Sequence, residues 1–182
     1  MRTIGKFALL IFPLMLITSS AANGQESRVP DTLRTRILIV ARDIMKNAGT
    51  CALITLNDEG QARVRAMSPF LPEKDFTIWF GTNPESRKVE QIKKDPRVTL
   101  YYLDNDASGY VTIYGTAQLV NDPKEKEKHW KEEWDAFYPD RQEGYLLIKV
   151  KPVWMEVLSI SHDIYADPVT WQPPRVYFDS KD

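Results

Sequence analysis

Short apolar segments, each bounded by turn-forming residues, make up most of the chain from residue 51 onward. The first, 51–56, is followed by the turn sequence Asp58-Glu59-Gly60 and then by alternating residues at 62–67. This pattern predicts a β-hairpin, because Asp and Gly favour the tight turns that join antiparallel strands. The same pattern predicts further strands at 75–81, 97–103, 110–120, 145–151 and 153–159, with the last two separated at Pro152.

Three segments have the apolar spacing of helices. Asp31 can cap a helix that ends at Gly49, a residue suited to the left-handed conformation that terminates helices. A second helix is predicted over about 87–94 and stops before Pro96. Pro123 opens a third helix that carries three aromatic residues on one side: Trp130, Trp134 and Phe137.

These elements predict the fold class. About seven short strands with three interleaved helices favour a mainly β (α+β) antiparallel barrel over a parallel doubly wound sheet. We expect the barrel to be closed, with the helices covering its openings, and Gly115 to mark a bulge or a close backbone approach. The domain is predicted over 31–161, and the segment 162–182, rich in Pro and Asp, is predicted to be an irregular tail.

The N-terminal residues have the pattern of a secretory signal peptide. A basic stretch precedes an apolar run over 7–17, and small residues follow it. We predict a signal peptide over 1–24, cleaved near Ala22 or Gly24, and a mobile leader over 25–30. An uncleaved anchor is the alternative, although the run is shorter than the about 20 residues that span a bilayer. The sequence therefore predicts a periplasmic or secreted protein.

Composition excludes several classes of function. The formal net charge is −1 with both signs interspersed, so the chain lacks the basic footprint of a nucleic-acid-binding protein. The single cysteine excludes an intramolecular disulfide, and with two histidines it leaves too few ligands for a usual zinc site. No Ser-His-Asp set, paired-carboxylate motif or glycine-rich dinucleotide fingerprint is present. We therefore assign no catalytic side chain, and any redox chemistry would come from a cofactor.

The segment from Phe80 to Lys88, F-G-T-N-P-E-S-R-K, joins a predicted strand to a predicted helix. Ser86 lies at the N-cap position, and Arg87 and Lys88 occupy the first turn, where a helix prefers acidic residues. Val89 at the N3 position leaves no capping box for the free amides. A bound anion would reverse this unfavourable arrangement, because amides, a hydroxyl and two cations would converge on it. The segment indicates either a phosphate-sized anion site or a solvated helix start with surface cations.

The run F-G-T-N-P-E-S-R-K-V-E-Q-I-K-K-D-P-R-V-T-L, with the strand motif Arg65-Ala66-Met67 before it, resembles the pyridoxamine 5′-phosphate oxidase-like flavoproteins. The general stress protein branch is the most similar. The resemblance covers nearly the whole mature chain and implies a split β-barrel that binds FMN across the interface of a homodimer. It also implies an FMN-dependent oxidoreductase acting on a small molecule. The alternatives are a non-catalytic flavin carrier or sensor, a related cofactor such as haem or a deazaflavin, and an empty barrel filled by aromatic residues.

Carried over by position, the resemblance implies two groups of cofactor-binding residues. The residues that would hold the FMN phosphate are Thr82, Ser86, Arg87 and Lys88. Those that would run along the edge of the isoalloxazine ring, through side chain and backbone, are Arg65, Ala66 and Met67. The C-terminal R-L-H-D-R element by which pyridoxamine phosphate oxidases bind their substrate has no counterpart, so FMN binding is implied without vitamin B6 oxidation.

Other conspicuous residues are given structural roles. Trp130 and Trp134, four positions apart on a helix, are expected to form a packing face rather than a flavin stack. His129 on the same charged helix is expected to be exposed, and Cys51 is expected to be a small core residue. Arg65 projects either to solvent or, as the resemblance implies, into the cofactor cleft.

Overall fold

The computed structural model describes residues 29–141 and 143–178, so the predicted signal peptide and most of the predicted leader lie outside the described residues. The helices are α1 (Asp31–Ala48), α2 (Arg87–Lys94) and α3 (Pro123–Lys128), with 3₁₀ helices at Glu132–Ala136 and Ile160–His162. The strands are β1 (Cys51–Leu56), β2 (Ala62–Met67), β3 (Ile78–Thr82), β4 (Arg97–Leu103), β5 (Gly109–Val120), β6 (Leu146–Ser159) and β7 (Arg175–Tyr177).

The seven strands form one antiparallel sheet in the order β2-β1-β4-β5-β6-β3, with β7 added to β6. The long strand β6 pairs with β5 along one edge and with β3 and then β7 along the other. Among the described residues no ladder joins β2 to β3, so the expected closure of the barrel is wrong. The fold is the split form of the barrel, with β2 and β3 as its two free edges.

In the described chain, backbone hydrogen bonds across the opening come only from the loop that connects the two edge strands. Phe70 N–H donates to the carbonyl of Trp79 at 2.9 Å, and Glu73 N–H donates to the carbonyl of Thr77 at 2.9 Å. Beyond this point β2 pairs with β1, and β3 pairs with β6. The opening between the edges is therefore joined at one end and free at the other.

The main core lies between α1 and the inner face of the sheet. One row of directly paired residues crosses this face through Met155, Ile113, Leu100 and Leu53, all of them fully buried, and ends at Arg65 on β2. Burying each apolar side chain of such a row contributes about 1.5–3 kcal/mol to folding. The row therefore fixes the position of β2 and places a guanidinium group at the margin of the core.

Helix α1 follows its sequence closely. It covers the predicted residues and ends at Gly49, which has a φ of 63° as a left-handed C-terminal residue requires. The expected capping role of Asp31 is wrong, because Pro30 occupies the N-cap position, Asp31 is the first helical residue, and no side chain caps the start of the helix. Its buried residues recur at helical spacing and face the sheet: Ile37, Val40, Ala41, Ile44 and Met45. The predicted bounds of α2, 87–94, are also confirmed, and this helix buries Val89 and Ile92.

The last two predicted strands are one continuous strand, so the expected break at Pro152 is wrong. Proline cannot donate a ladder hydrogen bond, and a bulge is one of the few places in a sheet that tolerates this. The register shifts between Tyr114 and Gly115, which brings Pro152 opposite Gly115. A Cβ atom at Gly115 would lie 2.5 Å from the carbonyl oxygen of Lys151. The expected bulge or close approach at Gly115 is confirmed, and it lets β6 continue through the proline.

Three further boundaries differ from the sequence prediction. Strand β3 begins at Ile78 rather than at residue 75, because Phe76 has a φ of 64° that interrupts the extended backbone. The third helix ends at Lys128, and Phe137 is 74% exposed, so it does not share a packing side with the two tryptophans. The tail is not wholly irregular, since β7 adds three residues to β6.

A second, smaller core covers the start of β3. We call it the aromatic cluster, and its buried members are Trp79, Trp134, Tyr145 and Leu147, with Phe70, Val120, Trp130 and Tyr138 packed around them. The expectation that Trp130 and Trp134 form a packing face is therefore confirmed, although Trp134 lies in the 3₁₀ helix rather than in α3.

Candidate functional site

The residues predicted to bind a cofactor lie on the two free edges of the sheet and on the helix between them. Arg65, Ala66 and Met67 belong to β2, Thr82 ends β3, and α2 begins directly after Ser86. Helix α2 bridges the opening, since its side chains bond to β3 at one end and to β1 and β2 further along. The fold thus brings segments that are about 20 residues apart in sequence to one place.

The start of α2 has no side-chain cap. Ser86 occupies the predicted N-cap position with φ −73° and ψ 143°, yet its hydroxyl accepts no amide hydrogen of the helix. Its Oγ lies 3.1 Å from Oγ1 of the buried Thr82 instead. Lys88 Nζ donates to the same Thr82 Oγ1 at 2.9 Å. Two hydroxyls and an ammonium group therefore converge beside first-turn amides that no side chain caps, which is the donor set of an anion site.

The cationic side chains that form hydrogen bonds at this site do so to uncharged acceptors rather than to carboxylates. The Arg65 guanidinium donates to Thr55 Oγ1 at 2.7 Å and to Gln91 Oε1 at 3.0 Å, and neither acceptor carries a charge. In the part of the chain that the structure describes, Arg65, Arg87 and Lys88 form no ion pair with a carboxylate. The cluster is therefore electrostatically incomplete without an anion.

The cations also act on one another. Burial lowers the pKa of Lys88, and the positive charge of Arg65 lowers it further. Burial likewise lowers the pKa of Arg65, with added repulsion from Arg87 and then Arg63. A dianion placed among these groups would relieve the repulsion and raise the pKa of Lys88 again, because a nearby negative charge favours the charged form of an amine. The donor set therefore fits a phosphate monoester such as that of FMN.

The seven predicted residues do not all take equivalent positions. Strand alternation places Arg65 and Met67 on the inner face, where Met67 packs against the main core, and Ala66 on the opposite face. The side chain of Ala66 is exposed, so it could reach a ligand beside Arg65 only through its backbone. Arg87 is exposed, and its side chain forms no hydrogen bond among the described residues. Helix α2 meets these residues in two separate hydrogen-bonded groups. Thr82, Ser86 and Lys88 form one at the start of the helix, and Arg65 joins Gln91 in the other.

Sequence reasoning missed two residues that fix Arg65. Gln91 accepts hydrogen bonds from both the Arg65 guanidinium and the Thr55 hydroxyl, so it joins α2 to β1 and β2. Gln91 lies three positions after Lys88, and residues at this spacing share a helix face. This spacing could have identified Gln91 as a site residue from the sequence. Thr55 is paired with Arg63 in the hairpin register, so its place beside Arg65 follows only once that register is known.

His129 is buried, so the expectation that it is exposed is wrong. It follows the end of α3, and its ring stacks on Trp79 at a centroid distance of 4.2 Å with 5% of the residue exposed. Its Nδ1 lies 3.0 Å from the backbone carbonyl of Glu125. His129 therefore packs against Trp79 of the aromatic cluster.

Other classes of site are not indicated in the described chain. Between residues 29 and 178, Gln142 excepted, no group of three or more His, Cys, Asp or Glu residues is arranged to hold a metal ion. Within the same residues no helix is long and apolar enough to cross a membrane. Cys51 is buried, and burial raises the pKa of its thiol to about 12, so its predicted role as a core residue is confirmed.

Comparison with known proteins gives a consistent result. Residues 40–159 match the family described as "Pyridoxamine 5'-phosphate oxidase like". General stress protein 26 of Bacillus subtilis is 25% identical over 109 residues, which cover 58% of this chain and 76% of that protein. The pyridoxine/pyridoxamine 5′-phosphate oxidase of Crocosphaera subtropica is 37% identical over 71 residues, and Protein bli-3 of Neurospora crassa is 29% identical over 67 residues.

The extent of these matches differs between the relatives. The chain spans about a third of the length of the Neurospora and Crocosphaera proteins, 32% in each case. A crystal structure from Clostridium acetobutylicum, of a protein related to general stress protein 26, superposes with a TM-score of 0.62 at 21% identity. That superposition covers 69% of this chain and 89% of the other, and it shows that the two chains share a fold.

Proposed function

This chain belongs to the pyridoxamine 5′-phosphate oxidase-like family, and from that premise we propose that it is an exported FMN-binding protein that acts as an oxidoreductase on a small molecule. One observation carries the proposal. The hydroxyls of Thr82 and Ser86 and the ammonium group of Lys88 are hydrogen-bonded together at an uncapped helix start. This arrangement supports a phosphate-binding role for the segment that the family resemblance assigns to FMN.

In this proposal the start of α2 holds the phosphate. The first-turn amides of the helix and the hydroxyls of Thr82 and Ser86 donate hydrogen bonds to its oxygens. Lys88 contributes a charge, and Arg87 at the exposed side adds a second one. Hydrogen bonds to a charged group contribute about 1.5–3 kcal/mol each, so the donors at the start of α2 account for much of the affinity for FMN.

The free edge of β2 would face the isoalloxazine ring. Arg65, Ala66 and Met67 present a guanidinium group and unpaired edge backbone to that side of the opening. Thr55 and Gln91 hold Arg65 in place, so its position does not depend on the ligand. When bound, FMN supplies the redox chemistry, and the chain binds, orients and shields it. A fixed cation beside the ring favours states of the ligand that carry negative charge.

We further propose that the protein is a homodimer that shares its cofactor sites. The sheet face opposite α1, called the outer face, carries stacked Tyr114 and Trp154 rings 3.7 Å apart and the Tyr101 and Tyr110 rings at 5.5 Å. On the same face Val64 is 65% exposed and Leu103 is 50% exposed. A broad apolar and aromatic surface of this kind is typical of an interface between subunits.

The phosphate assignment is tested by titrating the mature protein with FMN and with riboflavin, which lacks the phosphate. We expect the double variant Ser86→Ala/Lys88→Met to bind FMN about 100-fold more weakly, since it loses two phosphate contacts. Its affinity for riboflavin should stay within about twofold of the wild-type value. The matched control is Lys93→Met in the last turn of α2, because Lys93 is exposed and, among the residues that the structure describes, its ammonium group pairs only with Glu90.

Two outcomes decide the proposal. An unchanged FMN affinity in the double variant, with the fold intact by circular dichroism, would exclude the phosphate site at α2. If FMN binds as expected, bleaching by dithionite, reoxidation in air and turnover with an added reductant identify an oxidoreductase. A protein that binds FMN but never turns over would be a flavin carrier or sensor.

A further inference from the structure

We propose that residues 123–136, called the α3 segment, set the separation of the two edges of the site, with Trp134 and Lys131 as the positioning residues. The inference rests on the proposed function, because it concerns how the same site is held open. The α3 segment contacts β3 and the chain directly after β2, next to the residues assigned to the cofactor. It thereby links the phosphate side of the site to the ring side.

Trp134 packs directly on the phosphate side. A Cβ atom built at Gly81 would lie 2.5 Å from both Cη2 and Cζ3 of the Trp134 ring. Gly81 immediately precedes Thr82, whose hydroxyl joins Ser86 and Lys88. The indole ring therefore lies against the backbone of β3 at the last residue before the anion site, and only glycine leaves room for it.

Lys131 contacts the ring side of the site, where the chain leaves β2. Its Nζ donates to Ser68 Oγ at 2.8 Å and to the carbonyl of Pro69 at 3.0 Å. Ser68 and Pro69 directly follow Met67, the last residue of β2 and of the predicted ring-binding motif. The same ammonium group lies 5.0 Å from the centroid of the Phe70 ring. Lys131 therefore fixes the chain where it leaves β2.

The two contacts are linked through Phe70, which lies at the joined end of the opening. Phe70 N–H donates to the Trp79 carbonyl there, and the ring of Phe70 meets the Trp134 ring edge-on at 5.6 Å. Trp134 is buried in the aromatic cluster, so it cannot move without disturbing a close-packed group of rings. Because Lys131 and Trp134 are three residues apart, one short segment constrains both edges. A ligand that spans the edges needs its contacts held to within about 0.5 Å.

The test on the phosphate side uses Gly81→Ala, which adds one methyl group against the Trp134 ring. We expect the affinity for FMN to fall about tenfold or more while the affinity for riboflavin changes little, so the preference for FMN decreases. The double variant Gly81→Ala/Trp134→Phe has a shorter ring and should recover part of that preference. Phe137→Ala is the matched control, since it truncates an exposed aromatic residue just after the same 3₁₀ helix.

The test on the ring side uses Lys131→Met, which keeps the length of the side chain and removes both hydrogen bonds. FMN and riboflavin affinities should fall by the same factor, with a change in the visible circular dichroism of the bound flavin. Lys124→Met, an exposed lysine of α3, serves as the control. A variant that merely lost stability would bind both ligands normally once folded, so these readouts separate positioning from stability.

The failure of this inference is distinguishable from failure of the proposed function. A wild-type protein that does not prefer FMN to riboflavin would contradict the proposed function itself. A wild-type protein with that preference, and folded Gly81→Ala and Lys131→Met variants that bind both flavins as it does, would overturn only the positioning role. If Gly81→Ala does not fold, Trp134→Phe alone replaces it, with the same expected loss of preference and the same contradicting result.

Discussion

At the scale of single residues, Lys88 connects structure to a measurable pH dependence. Burial and the charge of Arg65 lower its pKa below the ordinary value of 10.5 in the free protein. Between the lowered pKa and 10.5 the unfolded chain binds more protons than the folded one, so this group makes the free protein more stable as pH rises. For phosphate binding the sign is opposite, because the site loses a positive charge over the same range.

We therefore expect the affinity for FMN to fall as pH rises toward 10.5, with the decrease beginning below that value. The measurement is a series of FMN titrations from neutral to alkaline pH. The Lys88→Met variant should bind weakly at every pH and show a flatter profile. Parallel profiles for the two proteins would show that Lys88 does not titrate against the ligand.

At the scale of elements, the sequence predicted what depends on local patterns. The bounds of α1, α2, β1, β2 and β4 follow from apolar spacing, helix-ending residues such as Gly49 and turn chemistry, all of which are local. The break predicted at Pro152 was wrong because a strand can contain a proline where the pairing with its partner strand is irregular. Here the bulge at Gly115 of the partner strand provides that irregularity. The third helix ended early, since burial of His129 and Trp134 against β3 outweighs the charge pattern that favours a longer helix.

The same limit applies to the candidate site: its contiguous residues could be predicted from the sequence, and the partners brought together by the fold could not. The phosphate segment is contiguous, so its residues could be named before the fold was known. The partners of Arg65 could not be named from the sequence, because Thr55, Arg65 and Gln91 meet only through the hairpin register and the packing of α2. The contact of Trp134 with Gly81 likewise joins elements that lie more than 50 residues apart.

A prediction at the element scale concerns the bulge that lets β6 continue. Gly115→Ala places a methyl group 2.5 Å from the Lys151 carbonyl oxygen, so the two strands must separate locally. We expect the free energy of unfolding to fall by about 1–3 kcal/mol, as for other overpacked sites. Chemical denaturation measures this, with the exposed neighbour Thr116→Ala as the control. Equal stability of the two variants would mean that the close approach is not needed.

At the scale of the whole molecule, we predict a dimer formed through the outer face. Leu103→Arg places a charge on that face, and burial of an unpaired charge in an interface costs several kcal/mol. We expect this variant to sediment as a monomer at concentrations where the wild type sediments as a dimer. Ile39→Arg, on the exposed side of α1 behind the opposite face, should leave the wild-type state unchanged. A monomeric wild type, or a dimeric Leu103→Arg protein, would contradict this interface.

The central claim is that the start of α2 and the free edges of the sheet bind a phosphate-bearing flavin. Its most direct test compares the affinities of the wild-type protein for FMN and riboflavin by equilibrium titration under the same conditions. We predict that FMN binds at least about 100-fold more tightly, since the phosphate contacts contribute several kcal/mol. Equal affinities for the two flavins, or no binding of either, would contradict the account.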